Sequence, residues 1–188
     1  MLRPALFLDR DGVVIDDTHY VGTVDQIRWI PDSAAAVRNA NDAGFAVVVV
    51  SNQSGVARGL FGEAEVEVIH QHIRDHFLAE SGATFDRFYY CPHHVTEGVE
   101  RYRIDCECRK PKPGMLLRAA RELDLDLSRS WLIGDRLSDM EAGSAAGCRT
   151  ILVRTGYGKN VELPEGYASL VCANLAEAVQ RILSEAEA

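Results

Sequence analysis

Short, wholly apolar runs recur along the chain and alternate with longer stretches whose apolar residues fall at helical spacing. Ala5–Leu8 and the valine-rich Phe45–Val50 are apolar at every position and read as buried strands. Phe88–Cys91, Trp131–Gly134, Thr150–Val153 and Leu170–Cys172 read as strands too. Between them, Pro31-Asp32-Ser33 opens a helix that Gly44 stops. Glu63 to about Leu78 places Val66, Ile69, Ile73 and Phe77 on one helical face. Pro113-Gly114 starts a helix reaching about Leu123, and Asp139–Ala146 and Leu175–Leu183 complete the set. This order predicts an α/β, doubly wound, mostly parallel sheet with helices on both faces and right-handed crossovers. Two stretches break the alternation, Gly12–Ile30 and Pro92–Pro113. Irregular segments of that length inside a compact fold usually carry function.

Composition narrows the classes. A chain of 188 residues with 47% hydrophobic residues suits one globular domain, 1–188. Twenty basic against 28 acidic residues give 20 − 28 = −8, which argues against nucleic acid or an anionic membrane as partner. An anionic substrate must then be captured by a few local cations. Phe45–Val50 is far too short to span a bilayer, and Asp9 interrupts the first apolar stretch, so no signal peptide is expected and the expected location is cytoplasmic. Five cysteines, an odd number, argue against a disulfide framework. Cys148 and Cys172 lie in apolar contexts and read as packing residues.

The chemistry sits just beyond the strands. Asp9 and Asp11, one residue apart before Gly12, follow the first strand. Two acids so close raise each other's pKa unless a cation joins them. That points to a divalent metal with one carboxylate left to attack; the plain alternative is a solvated Asp-Gly turn. Ser51-Asn52-Gln53 follows the second strand, Arg109-Lys110-Pro111 ends the second irregular stretch, and Gly134-Asp135, with Asp139 one helical turn on, follows the fourth strand. In a parallel sheet all these strand ends share one edge. Alone, Asp135 and Asp139 would read as an acid pair at a helix N-terminus.

In order and residue type the four segments resemble the four motifs of the haloacid dehalogenase superfamily of phosphotransferases. The resemblance implies a Rossmann-like fold, an aspartyl-phosphate intermediate and Mg2+. Asp9 would be the nucleophile, and Asp11 the general acid that protonates the leaving oxygen and later activates water. The Mg2+ ligands would be the carboxylates of Asp9 and Asp135 and the main-chain carbonyl of Asp11, with Asp139 orienting them. Ser51 would hold phosphoryl oxygens and Lys110 would neutralise charge.

A second constellation is Cys91-x-His93 followed, after twelve residues, by Cys106-x-Cys108. Three thiols and an imidazole form a complete tetrahedral set for structural Zn2+. His94 is a rival ligand, and a loop of unrelated reduced cysteines is the plain alternative. Cys108 directly precedes Arg109 and Lys110, so a metal in this loop (about 91–109) would stiffen the segment that presents both cations.

Within the superfamily, Ser51-Asn52-Gln53-Ser54-Gly55-Val56-Ala57-Arg58-Gly59 and the run Cys106 to Met115 resemble the heptose 1,7-bisphosphate 7-phosphatases. The related histidinol-phosphate phosphatases share the acids and the cysteine cluster, and a broader sugar phosphomonoesterase is the other enzymatic alternative. A zinc-stabilised binding protein without catalysis is disfavoured by the joint presence of Asp9, Asp11, Lys110 and Asp135. Arg58, Arg109 and Arg136 offer guanidinium forks for a second phosphate, though Arg58 reads equally well as a solvated surface residue. Arg136 stands where relatives also carry lysine. The resemblance further implies substrate contacts from Asp17, Thr18, His19 and Tyr20, and from Ser51, Asn52, Gln53, Ser54 and Lys110. His19 and Tyr20 serve either to touch sugar or to pack their loop shut. No insertion is long enough for a separate cap domain, so an open site, a small soluble sugar phosphate and a monomer are expected.

Overall fold

The computed structural model describes residues 2–165, 167 and 169–186. Within them six strands form one parallel sheet: β1 (Ala5–Leu8), β2 (Ala46–Asn52), β3 (Arg87–Cys91), β4 (Trp131–Gly134), β5 (Arg149–Val153) and β6 (Ser169–Cys172). Their spatial order is β3-β2-β1-β4-β5-β6. The chain runs outward from β1 through β2 to β3, then returns to β1's other side for β4. The strand order therefore reverses between β1 and β4, and the crevice at such a reversal is where open α/β sheets bind ligands.

Among the described residues six α-helices accompany the sheet: α1 (Ser33–Asp42), α2 (Ser54–Ala57), α3 (Glu63–Ser81), α4 (Gly114–Leu123), α5 (Leu137–Ala146) and α6 (Leu175–Ala186). Side chains alternate between the two faces of each strand. Leu6 and Leu8 of β1, with Val47 and Val49 of β2, pack on Val37 of α1, Ile69 and Ile73 of α3 and Val179 of α6. Ala5 and Phe7, with Val48 and Val50, pack on Met115 and Leu116 of α4 and Ala142 of α5. Both strand faces are covered, which is why these strands are continuously apolar.

Several boundaries differ from the sequence reading by one to three residues. Phe45 does not join β2, because its N–H closes α1 by bonding Ala40 O (3.1 Å) while Gly44 N–H bonds Asn41 O (2.9 Å). This is the double closure expected around a left-handed glycine, and Gly44 has φ 83°. At its other end β2 continues through Ser51 and Asn52, which pair with Tyr90 and Cys91 of β3. Helix α5 starts at Leu137, two residues before Asp139. Among the described residues no helix is long and apolar enough to cross a membrane.

Candidate active site

The first residues after β1 and β4 are brought together by the sheet itself. Leu8 pairs with Ile133, and Asp9 N–H donates to Ile133 O (3.0 Å). Asp9 and Asp135 thus emerge side by side at the strand reversal. The first turn of α5 adds Asp139, whose Oδ2 accepts the Arg136 N–H (3.0 Å). That carboxylate satisfies a main-chain donor the helix leaves unpaired at its start. The loop before α4 delivers Lys110.

Lys110 is buried, and three oxygens surround its ammonium group. Nζ lies 2.6 Å from Asp139 Oδ1, 3.1 Å from Asp9 Oδ1 and 2.8 Å from Val50 O. Its backbone is fixed by Asn52, whose amide donates to Lys110 O (3.0 Å) and accepts from Lys110 N–H (3.1 Å). Asp9 Oδ1 also accepts the Arg10 N–H (2.7 Å), so Oδ2 is the oxygen that neither donor holds. Asp135 is completely buried; its Oδ2 accepts the Tyr157 N–H (2.7 Å), and its Oδ1 has no hydrogen-bond partner. Gly12 (φ 84°) and Gly156 (φ 51°) press against this carboxylate so closely that a Cβ on either would collide with it.

Carboxylate oxygens of Asp9, Asp135 and Asp139 lie within 4.8 Å of one another. Burial pushes the Asp9 carboxyl up to about 8, against the pull of Lys110 and with help from Asp139 and Asp135. Burial and Asp139 push Asp135 up to about 7. Lys110, driven down by burial, is held above its ordinary value by Asp139 and Asp9. Ionising all three carboxylates would gather negative charge that Lys110, with Arg136 4.0 Å from Asp135, offsets only in part. With an orphaned buried oxygen on Asp135, that all-oxygen set fits a divalent cation such as Mg2+.

Asp11 is oriented differently. Its Oδ1 accepts from Arg10 Nε (3.1 Å) and Nη2 (2.8 Å), and its Oδ2 from Arg10 Nη2 (2.8 Å) and Gln53 Nε2 (3.0 Å). Gln53 Nε2 also lies 2.7 Å from the buried Ser51 Oγ.

These groups open onto a cavity of about 500 Å3, within the range of small-molecule sites. Of the sequence-predicted residues, Asp9, Asp11, Asp17, His19, Tyr20, Asn52, Gln53, Ser54, Arg58, Arg109, Lys110, Arg136 and Asp139 line it. Ser51 and Asp135 lie buried behind it, and Thr18 is exposed away from it. Arg58 is ion-paired with Glu97 and lies 5.7 Å from the Tyr20 ring. Arg109 Nη1 donates to His93 O (2.9 Å). Arg136 reaches Asp17 (3.3 Å) and lies 3.6 Å from the centre of the Tyr157 ring. Tyr157 and His19 share a 3.0 Å hydrogen bond, which joins two loops across the cavity. His19 and Tyr20 both adopt left-handed backbone (φ 63° and 51°), a costly conformation for non-glycine residues.

Sequence reasoning missed Arg10 and Tyr157. Arg10 continues the Leu6, Leu8 alternation toward a core-facing position, and a charge at such a position is a readable signal. Tyr157 follows β5, whose end shares the edge with β1 and β4.

The cysteine loop flanks the site. Cys91, His93, Cys106 and Cys108 converge, and His94 turns to the cavity instead, its Nδ1 accepting from Glu97 N–H (3.0 Å). Sulfur–sulfur separations are 3.1–3.4 Å, and His93 Nδ1 lies 3.6–3.7 Å from Cys108 and Cys91. The sulfurs stand closer together than the ~3.8 Å edge of a zinc–thiolate tetrahedron, so the pocket must open slightly around an ion; it is the donor chemistry, three thiols and an imidazole converging on one point, that fits Zn2+. The cysteines are free thiols. The loop is tied to α3 through Glu63, which accepts from Tyr102 (2.7 Å) and Tyr90 (2.8 Å), and to α2 through Val99 N–H on Ala57 O (2.8 Å).

Comparison with known proteins agrees with this arrangement. A HAD-hydrolase-like family model matches residues 107–178. The D-glycero-beta-D-manno-heptose-1,7-bisphosphate 7-phosphatase of Escherichia coli K12 is 45% identical over 95% of this chain and 93% of its own. The protein of that name from Rhodopseudomonas palustris is 50% identical over 77% of this chain and 80% of its own. The D,D-heptose 1,7-bisphosphate phosphatase of B. bronchiseptica, solved with magnesium and phosphate, superposes with a TM-score of 0.85 at 37% identity, covering 97% of this chain and 99% of its own. The chain thus belongs to the D-glycero-beta-D-manno-heptose-1,7-bisphosphate 7-phosphatases, phosphoric monoester hydrolases of the haloacid dehalogenase-like fold.

Proposed function

We propose that this protein removes the C7 phosphate of D-glycero-D-manno-heptose 1,7-bisphosphate, leaving heptose 1-phosphate. The observation that carries the reading is the meeting of Asp9, Asp135, Asp139 and Lys110 beneath a cavity rimmed by Arg58, Arg109 and Arg136. The names of its relatives point to the same substrate.

Asp9 attacks phosphorus through its carboxylate; an Asp9–O–P bond forms as the bond from phosphorus to O7 of the sugar breaks. Asp11 gives its proton to the departing oxygen. In the second half, Asp11 takes a proton from water, whose oxygen attacks phosphorus and releases Asp9. Lys110 holds Asp9 Oδ1 in place and offsets the negative charge that gathers around phosphorus. Asp139 keeps Lys110 charged and in position. Asp9 and Asp135, with the Asp11 carbonyl, would hold Mg2+, which when bound neutralises the oxygens that otherwise repel an anionic nucleophile. Cys91, His93, Cys106 and Cys108 would hold a structural Zn2+ that braces the segment carrying Arg109 and Lys110.

Three arginines around one cavity favour a second phosphate over the cationic amine of histidinol phosphate. We read the chain as one catalytic domain, acting as a cytoplasmic monomer on a freely diffusing substrate. The deciding experiment measures phosphate release from heptose 1,7-bisphosphate and histidinol phosphate side by side with Mg2+. Faster release from the bisphosphate supports the reading; preference for histidinol phosphate, or no release from either, overturns it.

A further inference from the structure

We infer that Arg10, a residue with no assigned part in the reaction, is the positioning residue for the Asp11 carboxylate. The inference rests on the phosphatase reading above and deepens it. Arginine at a buried strand end is costly unless its charge is paired. The Arg10 side chain is 1% exposed, although the residue borders the cavity. Its Nε and Nη2 both point at Asp11, making three of the four hydrogen bonds that this carboxylate accepts. Gln53 makes the fourth from the cavity side. The planar guanidinium meets the carboxylate edge-on, so it fixes the plane of the group as well as its distance. Asp11 remains 22% exposed toward the cavity, where a proton must be exchanged with substrate and water. Among the described residues Arg10 Nη1 has no hydrogen-bond partner, and every bond that the guanidinium makes to them goes to Asp11.

Positioning matters because proton transfer requires a group within hydrogen-bond reach in the right orientation. Without the fork, Asp11 can turn about its side-chain torsions, held by Gln53 alone. Lysine is a point charge and cannot supply the two donors that define the plane.

The test uses Arg10→Met and Arg10→Lys with heptose 1,7-bisphosphate and p-nitrophenyl phosphate. Nitrophenolate leaves without needing a proton, so Asp9 can still be phosphorylated by that ester when Asp11 is misplaced. Water activation in the second half still needs Asp11. Both variants should therefore give a stoichiometric burst of nitrophenolate followed by turnover about tenfold or more below wild type. Single-turnover cleavage of the heptose bisphosphate should fall by at least as much, with KM within about twofold of wild type, since Arg10 itself touches no substrate. Arg10→Lys should not rescue. The burst counts folded, phosphorylatable sites, so its absence in both variants overturns the inference and makes Arg10 a support of the fold or of Asp9. Wild-type turnover in Arg10→Lys, or a raised KM at unchanged turnover, overturns it too. If wild-type protein with Mg2+ cleaves neither ester, it is the phosphatase reading that fails.

Discussion

At the scale of single residues, the site is a charge balance that the protein alone leaves unfinished. Asp9 is buried beside Asp135 and Asp139, with Lys110 opposing them and Arg136 reaching Asp135 from outside. Asp9→Asn removes both the attacking oxygen and one of the crowded charges. Phosphate release should drop to background, while thermal melting of the metal-free variant should stay at or above wild type. Normal turnover would refute the nucleophile. Arg58 tests specificity in the same spirit. Arg58→Ala should raise KM for the bisphosphate by roughly ten- to hundredfold, the weight of one charge-assisted contact at roughly 1.5–3 kcal/mol, and change KM for a monophosphate little. Equal losses on both would remove Arg58 from recognition of the second phosphate.

Elements show how much of this was legible in the sequence. The strands could be read because parallel strands covered on both faces carry few polar positions, so Ala5–Leu8 and the valines of β2 declare themselves. The end of β2 could not, since Ser51 and Asn52 stay in the ladder with β3 after the apolar run has finished. Helix α5 was placed two residues late because Asp139 resembles a helix opener, whereas its carboxylate reaches back to the Arg136 N–H from the third helical position. The four polar segments were legible as a set, because each follows a strand or leads into a helix at one edge. Asn52 was read as a substrate contact, yet its amide is occupied with the Lys110 backbone, a pairing between residues 58 apart that no local pattern encodes. The cysteine loop was legible from residue type, and the structure adds its mooring on Glu63 and Ala57. Removing metal from that loop with a chelator of higher zinc affinity should lower turnover several-fold while Mg2+ dependence persists. Full activity in a folded, zinc-free protein would contradict the bracing role.

For the whole molecule, stability and catalysis meet at the same buried layer. His70 of α3 is completely buried against Phe88 and Tyr90, with neither ring nitrogen hydrogen-bonded. Burial, with the charges of Arg10 and Arg74, pushes it down to about 3 from an ordinary 6.5. The unfolded chain therefore takes up this proton more readily than the folded one, and stability must fall as pH drops from about 6.5 toward 3. The slope contributed by this one group reaches at most about 1.4 kcal/mol per pH unit. Urea denaturation at pH 7 and pH 5 should show wild type losing more stability than His70→Phe across that interval. Equal losses would mean that His70 is solvated or already charged in the fold.

The ion pair between Arg58 and Glu97 changes what it means for this cavity to recognise an anion. The guanidinium is not waiting bare for a ligand; it already belongs to a carboxylate on the neighbouring loop. An incoming phosphate on Arg58 must displace that carboxylate, so its binding strength there reflects a trade between two anions. A ligand with nothing to offer at that spot leaves the resident pair intact and incurs no penalty. Selectivity at this corner is then an exchange of partners, set as much by the acid that is given up as by the phosphate that replaces it.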